Sequence, residues 1–385
     1  MAHVLTRRTL LRSLPAAAAL PHAIYANTTA PRSHLFVGTG TGDKSRSKGI
    51  YLASWNPATG ELGDLTVAAE MDSPTFLALG PGARKLYASS EVSDGAVRAF
   101  TVRHDGSKLS LDLINFQSTE GGGPAHVSVS ADGQNVFASN YGGGSLTTYK
   151  VEASGGLSAP VTHLQYTPVD DLPKHRTPHA HEATPTPDGN WLLVNDLGSD
   201  RIWIYHVDRA TAALKPAEPA FWQARIGSGP RHLAIHPNQR WVYNCNELDS
   251  TVDHLLWDNK AGTLTTVGTF VSTLPADYPP GTAFASEIIT SPDGRFLYVG
   301  NRRHESIARL DIDRASGAVK LSQLIVHGGK TARHITLDPG GRYLLVACQD
   351  SGGIAVLSRN PKTGELTGPI HTYPLDSPQC LVFTT

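Results

Sequence analysis

The amino-acid sequence predicts an all-β protein, a seven-bladed β-propeller closed by pairing of its N- and C-terminal strands. The first observation is a repeated strand–turn–strand pattern whose copies start 47 to 56 residues apart, at Pro74, Pro124, Ala180, Pro230, Ala285 and Ala332. The second is that further strand-like segments follow each copy, giving about four strands per unit, the size of a propeller blade. The third concerns the chain ends: PQCLVFTT at the C-terminus is a lone first strand, and HLFVGTG near the N-terminus starts a unit that lacks one. Joining them completes a seventh blade and leaves no exposed sheet edge there.

The composition supports this class and excludes others. Of 385 residues, 37 are Gly and 26 are Pro, and 17% are charged, which suits a turn-rich globular chain. A formal net charge of −1 gives no electrostatic attraction to nucleic acid or to an anionic membrane. We therefore expect no nucleic-acid partner and no membrane association after signal removal. We also expect a monomer.

Residues 1–33 differ from the rest of the chain. Arg7 and Arg8 precede an Ala-rich apolar run, and no acidic residue occurs before Asp43. This pattern predicts a twin-arginine-like export signal followed by a disordered lead, and hence a bacterial protein that is periplasmic or secreted. Pro15 and Pro21 interrupt the apolar run, which is too short for a membrane anchor. The alternative is a disordered basic N-terminus with a chance Arg pair; residues 34–385 form a single propeller in either case.

Cysteines give no sign of a disulfide framework or a redox site. The chain has three, Cys245, Cys348 and Cys380, all in apolar strand-like segments, and no CxxC motif. Three cysteines cannot all pair, so we expect buried free thiols.

Comparing the repeats with one another identifies two columns of polar, non-repeating residues. The residue after each leading Pro or Ala is, in blade order, Thr75, Ala125, His181, Arg231, Ser286, Arg333 and Gln379. The far end of the second strand carries Glu91, Tyr141, Leu197, Glu247, Arg302 and Gln349. Because the first strands of all blades line the channel in the same direction, both columns meet at one mouth.

Five members of these columns suit a pocket for an anionic or oxygen-rich ligand: His181, Arg231, Glu247, Arg302 and Arg333. For Arg231 and Glu247, which face each other across one hairpin if their positions pair about residue 239, a structural salt bridge is the alternative. The next column contains His126, His232 and His334, which we expect to point away from this face as packed residues. His175, His179 and His181 lack a carboxylate or a further ligand at metal-site spacing, so we predict no metal and no cofactor.

The chain resembles the lactonase family of seven-bladed propellers, which includes propeller-type 6-phosphogluconolactonases and the fungal 3-carboxy-cis,cis-muconate cyclising enzyme. The segments that carry the resemblance are SKGIYLASWNPATGEL, PAHVSVSADGQNVFASNYGGGS, GPRHLAIHPNQRWVYNCNELDSTV and SPDGRFLYVGNRRHESIA. The resemblance implies that the catalytic residues are His181, Arg231, Glu247 and Arg302. The same mouth supplies the substrate-binding candidates Arg333, Tyr141, Gln349, Glu91 and His179. Arg303 departs from the family pattern and leaves open which of Arg302 and Arg303 enters the pocket.

The resemblance implies a lactone hydrolase in which water attacks the ring carbonyl of a sugar-derived lactone, an aldono-1,5-lactone or one like 6-phosphogluconolactone. His181 would act as the base toward water or the acid toward the ring oxygen. Glu247 would orient or share that proton, and Arg231 and Arg302 would hold the oxyanion or an anionic substrate group. Two alternatives remain: an exported, non-catalytic propeller that binds a glycan or a protein, and a muconate-type cyclising enzyme. An export signal does not suit a phosphorylated cytosolic lactone.

Overall fold

A computed structural model describes residues 33–384, except residues 44, 107 and 169–176. Residues 1–32 of the predicted export signal and lead therefore lie outside the described residues, as does His175. The described residues form seven antiparallel sheets and one short 3-10 helix, Pro81–Ala83, so the predicted seven-bladed β-propeller is confirmed. None of the helical segments described is long and apolar enough to cross a bilayer.

The blades follow one another along the chain, and each innermost strand begins at or near the leading Pro or Ala. Blade 1 contains β1 (His34–Thr39), β2 (Gly49–Asn56), β3 (Glu61–Leu62), β4 (Thr66–Glu70) and the C-terminal strand β30 (Pro378–Phe383). Blade 2 contains β5 (Leu77–Leu79), β6 (Lys85–Ser90), β7 (Ala96–Asp105) and β8 (Lys108–Ser118). Blade 3 contains β9 (Pro124–Val129), β10 (Asn135–Asn140), β11 (Ser145–Lys150) and β12 (Thr162–Gln165).

The other four blades repeat this order. Blade 4 contains β13 (Ala180–Pro185), β14 (Trp191–Asp196), β15 (Arg201–Val207) and β16 (Leu214–Gln223). Blade 5 contains β17 (Pro230–Ile235), β18 (Trp241–Asn246), β19 (Thr251–Asp258), β20 (Thr263–Thr266) and β21 (Val271–Ser272). Blade 6 contains β22 (Phe284–Thr290), β23 (Phe296–Arg302), β24 (Ser306–Ile312) and β25 (Val319–Val326). Blade 7 contains β26 (Ala332–Leu337), β27 (Tyr343–Cys348), β28 (Gly353–Arg359) and β29 (Leu366–Pro374).

The two chain ends close the ring as predicted. β30 pairs antiparallel with β1, from Leu35 opposite Phe383 to Thr39 opposite Pro378. At the end of this ladder the His34 backbone N–H donates to Thr384 Oγ1 at 2.9 Å, and the Thr384 N–H donates to the His34 carbonyl at 2.9 Å. Blade 1 thus obtains its innermost strand from the last residues of the chain.

The core consists of apolar layers between neighbouring blades. Trp55 of blade 1, for example, packs edge-on against Tyr343 of blade 7, with ring centroids 5.5 Å apart. The three cysteines are buried and unpaired, as predicted. These layers fix each inner strand relative to the next, and the channel residues are placed by that packing.

A β-bulge near the start of several inner strands changes which residues face the channel. In β17 the register shifts between Pro230 and His232, so Arg231 has no cross-strand backbone partner. The same shift occurs around His181 in β13, around Arg333 in β26 and between Ala285 and Ile288 in β22. A bulge places two residues of one strand opposite one of its partner and re-aims their side chains.

This bulge makes one sequence-based expectation wrong. His126, His232 and His334 do not point away from the site; with Phe76 they meet at the centre of the ring. The Phe76 ring centroid lies 4.2 Å from that of His126, 5.9 Å from His232 and 5.6 Å from His334, although the four residues belong to four different blades. Alternation with period 2 holds only in an unbroken strand, and the bulge breaks it here.

The bulge also shifts the pairing of the β17–β18 hairpin. Pro230 lies opposite Asn246, and the Glu247 N–H donates to the Gly229 carbonyl at 2.8 Å. The pairing is therefore centred just before the predicted residue 239, so Arg231 and Glu247 are roughly opposite each other without being direct backbone partners. Their side chains nevertheless meet, because the bulge turns Arg231 toward the mouth.

Candidate active site

Glu247 joins two arginines from neighbouring blades at the channel mouth. Its Oε2 lies 3.0 Å from Arg231 Nε and 2.7 Å from Arg302 Nη2. Arg231 Nη1 donates to the Ser286 carbonyl at 2.6 Å, and Arg302 Nη2 also donates to the Ala285 carbonyl at 3.2 Å. The Arg231 Nε–H does not point along the short contact, so that contact is an ion pair rather than an aligned hydrogen bond. Blade 6 backbone thus anchors both guanidinium groups.

This Arg231–Glu247–Arg302 triplet is largely shielded from solvent. The Arg231 side chain is 2% exposed, and those of Arg302 and Glu247 are 14% and 15% exposed. Burial, reinforced by the positive charges of Arg333 and Arg302, lowers the pKa of Arg231 to about 9, against the attraction of Glu247. Burial also lowers the pKa of Arg302, and Glu247 opposes that effect. One carboxylate therefore serves two cations, and the triplet carries a net positive charge.

His181 lies in the same layer, on blade 4. It is 2% exposed, and its Nδ1 lies 3.2 Å from Nε2 of His232. Burial lowers the pKa of His181 well below its ordinary value, and the charge of Arg231 lowers it further. The imidazole is consequently neutral at pH 7, the state in which a histidine can accept a proton.

The substrate-binding candidates fall into two groups. Arg333, Gln349 and Glu91 line a cavity of about 1360 Å³ at the mouth, together with Glu247 and Arg302. Within the described part of the chain, the Arg333 guanidinium makes no hydrogen bond and no ion pair. It is therefore a cation available to a ligand.

Tyr141 and His179 lie beside His181. None of these three residues lines the cavity, and neither does the buried Arg231. The Tyr141 ring packs edge-on against His181 at 5.2 Å and stacks on His179 at 4.5 Å. His179 Nδ1 lies 2.8 Å from the Tyr141 carbonyl, and its backbone N–H is bound by Asp196. The structure thus makes His179 a support for Tyr141, and Tyr141 a wall beside His181.

Arg302, not Arg303, enters the layer of Glu247. Arg303 is exposed, has a positive φ of 69°, and its guanidinium lies over the Phe284 ring at 4.6 Å. Arg303 lines the rim of the cavity but has no contact with Glu247 among the described residues. Arg303 has a left-handed backbone conformation, and its side chain stays exposed at the rim.

Sequence reasoning missed a set of buried groups directly beneath this layer. Glu182 and Glu287 follow the column residues His181 and Ser286, and they are 6% and 7% exposed. Glu287 Oε2 lies 3.0 Å from His232 Nδ1 and 3.6 Å from His334 Nε2. Glu182 accepts the Leu233 N–H at 2.6 Å and lies 3.9 Å from His126. Glu182 and Glu287 share a repeat column with His126, His232 and His334, and this mixture of acidic residues and histidines was the signal that could have revealed the cluster. Strand alternation with period 2 instead assigned the column to the face away from the site.

No group of three or more His, Cys, Asp or Glu in the described part of the chain has the geometry of a metal site. His179 and His181 are separated by contacts to different partners, Tyr141 and His232. The chemistry available at the mouth is accordingly that of a neutral imidazole, a bridging carboxylate and three arginines.

Comparison with known proteins identifies the family. The family model described as "Lactonase, 7-bladed beta-propeller" matches residues 34–383. The chain belongs to this lactonase family. Its enzyme class is that of the lactone hydrolases, which are carboxylic ester hydrolases.

Individual relatives agree with this membership. The chain is 30% identical to a 6-phosphogluconolactonase of Bacillus subtilis over 348 residues, which covers 90% of this chain and 97% of the relative. It is 31% identical to a 6-phosphogluconolactonase of Formosa agariphila, with 86% of this chain and 94% of the relative covered. Among solved structures, the periplasmic gluconolactonase of Pseudomonas aeruginosa matches with a TM-score of 0.85 and 27% identity, over 92% of this chain and 99% of the other.

Proposed function

We propose that this lactonase hydrolyses a sugar-derived 1,5-lactone, with His181 as the base that takes a proton from the attacking water. The observation that carries the proposal is that His181, a buried neutral imidazole, contacts His232, the residue that follows Arg231 of the Arg231–Glu247–Arg302 triplet. Ester hydrolysis needs a proton acceptor for water and positive charge where the carbonyl oxygen becomes an oxyanion. Both groups lie in one desolvated layer.

The roles of the other groups follow from their contacts. Glu247 contacts both guanidinium groups through one oxygen, so we assign it to holding the arginines in place rather than to proton transfer. Arg302 lines the cavity, and its Nη1 has no hydrogen-bond partner among the described residues, so we assign it to the developing oxyanion. Arg333, which has no ion-pair partner there, is assigned to the substrate's polar groups.

The charges around the cavity favour an unphosphorylated lactone. Six acidic residues line it, Asp43, Glu91, Glu247, Glu305, Asp350 and Asp376, against four basic ones, Arg302, Arg303, Lys330 and Arg333. Adding the buried Arg231 gives five cations against six carboxylates, a net of −1. A phosphate dianion would enter a site without surplus positive charge, whereas a hydroxyl-rich neutral ring would find many hydrogen-bond partners.

We further propose that the protein is exported to the periplasm and acts there on an aldono-1,5-lactone. The paired arginines and apolar run within residues 1–33 support export. One solved structural neighbour is itself named a periplasmic gluconolactonase, which supports the same compartment and substrate class.

A pH-stat assay tests the proposal. Purified protein is given glucono-1,5-lactone and, in parallel, 6-phosphogluconolactone, and acid release is compared with spontaneous hydrolysis. We expect kcat/KM to be higher for the unphosphorylated lactone, and His181→Gln to lower kcat by about a hundredfold or more. Acid release at the spontaneous rate with both lactones would refute the proposal and favour the non-catalytic binding alternative. A preference for the phosphorylated lactone would overturn only the substrate assignment.

A further inference from the structure

His181 is the first member of a hydrogen-bonded chain that runs from the mouth into the channel. Its Nδ1 lies 3.2 Å from His232 Nε2, and His232 Nδ1 lies 3.0 Å from Glu287 Oε2. His232 is 1% exposed and Glu287 is 7% exposed, so water does not compete for these contacts. Three residues from three successive blades are thus connected through both nitrogens of the middle imidazole.

The order of atoms in this chain determines where the protons lie. A carboxylate accepts hydrogen bonds and cannot donate, so ionised Glu287 requires His232 to carry its proton on Nδ1. A neutral His232 then has its lone pair on Nε2, which can only accept the proton of His181 Nδ1–H. With Nδ1 protonated, the lone pair of His181 is on Nε2. This is the nitrogen that is free to act as a base.

Several contacts of Glu287 stabilise its ionised form, although burial raises its pKa. Its Oε1 accepts the Ile288 backbone N–H at 3.2 Å, and its Oε2 faces His334 Nε2 at 3.6 Å. Burial and the second buried carboxylate, Glu182, raise the pKa of Glu287, and the positive charges of Arg231 and Arg333 oppose this shift. Other titratable groups also face the chain. The His126 ring is edge-on to His232 at 5.6 Å and the Tyr141 ring is edge-on to His181 at 5.2 Å. Arg302, Cys245 and Cys380 interact electrostatically with its members.

We propose that His232 and Glu287 are positioning residues that fix the tautomer and orientation of His181, so that its Nε2 lone pair faces the lactone. This inference rests on the proposed role of His181 as the base. It goes beyond the predicted site residues, which include neither His232 nor Glu287. The catalytic unit then extends one layer below the surface of the pocket, as a carboxylate–imidazole–imidazole chain.

Two substitutions of His232 separate positioning from packing. His232→Phe keeps an aromatic ring beside Phe76 but removes the acceptor for His181 Nδ1–H. His232→Gln restores an acceptor oxygen near the position of Nε2 while breaking the link to Glu287. We expect kcat to fall about a hundredfold in His232→Phe with KM nearly unchanged, and about tenfold in His232→Gln and in Glu287→Gln.

A matched control comes from the other end of the same strand. His236 is also buried and hydrogen-bonded, with Nε2 2.8 Å from the Gly294 carbonyl, and it lies in the turn after β17. His236→Gln removes a buried imidazole without touching the chain to His181, so it should lower the melting temperature and leave kcat unchanged. If the His232 variants behave like this control, His232 is only a packed residue and the proposal is wrong.

Imidazole ¹⁵N chemical shifts give a readout that does not depend on activity. In full-length protein labelled with ¹⁵N-histidine, the His181 signals are those lost in His181→Gln. We expect Nδ1 of His181 to carry the proton in the wild type, and the tautomer to become mixed in Glu287→Gln. A proton on His181 Nε2 in the wild type would overturn the inference, even if His181→Gln is inactive. Full activity of His181→Gln together with a protonated Nδ1 would instead refute the proposed catalytic role and leave the tautomer assignment standing.

Discussion

Replacing Glu247 by Gln should destabilise the fold as well as the reaction, because its carboxylate serves two buried guanidinium groups. The Gln side chain keeps the shape and removes only the charge. Arg231, 2% exposed, and Arg302, 14% exposed, would then be neighbouring cations with no carboxylate between them. Breaking a buried ion pair by removing one partner typically costs about 3 to 5 kcal/mol. With 15% of the Glu247 side chain still exposed to water, we expect a loss near the lower end, about 3 kcal/mol.

Urea unfolding of three variants measures this loss. Asp112→Asn is the matched control, because Asp112 pairs with Arg103 at 2.7 Å, the same distance as Glu247 to Arg302, but with side chains 54% and 66% exposed. An exposed pair of this kind contributes about 0 to 1 kcal/mol, so the control should unfold almost like the wild type. The double variant Glu247→Gln with Arg302→Gln removes one of the two uncompensated charges, and it should recover about half of the loss.

Activity is measured on the same proteins. We expect kcat/KM of Glu247→Gln to fall by about a hundredfold, since both guanidinium groups lose the carboxylate that positions them. Equal unfolding free energies for Glu247→Gln and Asp112→Asn would show that Glu247 does not neutralise the buried arginines, and would refute the electrostatic account of the site. Loss of activity without loss of stability would assign Glu247 to the reaction rather than to holding the arginines.

Three further outcomes are expected. Arg333→Met should raise KM about tenfold and leave the melting temperature unchanged, because this guanidinium makes no ion pair within the described residues; an unchanged KM would remove it from the site. Burial lowers the pKa of His334 to about 4, so the folded state binds its proton more weakly than the unfolded state, and stability should fall as the pH drops below about 6.5. The contribution of His334 to the loss of unfolding free energy should reach about 3 kcal/mol at pH 4, so His334→Phe should lose less stability in acid than the wild type. Glu287, whose pKa is raised by burial, acts in the opposite direction in both proteins. Equal losses of stability in the two proteins would contradict the assignment. Leu381→Ala, in the closing strand β30, should cost about 3 kcal/mol in urea unfolding because this side chain is 1% exposed; a loss under 1 kcal/mol would show that the closing strand contributes little.

The blade number, the closure and the grouping of Arg231, Glu247 and Arg302 could all be predicted from sequence. Repeats at nearly constant spacing determine the number of blades, and a lone strand at each end can be satisfied only by pairing with the other. Arg231, Glu247 and Arg302 could be selected because a position that stabilises the repeat tends to recur, whereas these vary and are charged. The structure brings these three side chains together, as the repeat positions imply.

The layer beneath the mouth was decided by tertiary structure alone. A bulge is a shift of backbone pairing, and it leaves no mark on the alternation of apolar and polar residues, so the side on which His232 and Glu287 lie was not readable from the pattern. The choice between Arg302 and Arg303 likewise depends on a left-handed backbone angle at one residue, and the unpaired state of Arg333 depends on which carboxylates the other blades bring near. Strand periodicity and repeat spacing are local properties of the chain. The channel is where seven separate segments meet, and the partners of each charge there come from residues distant in sequence.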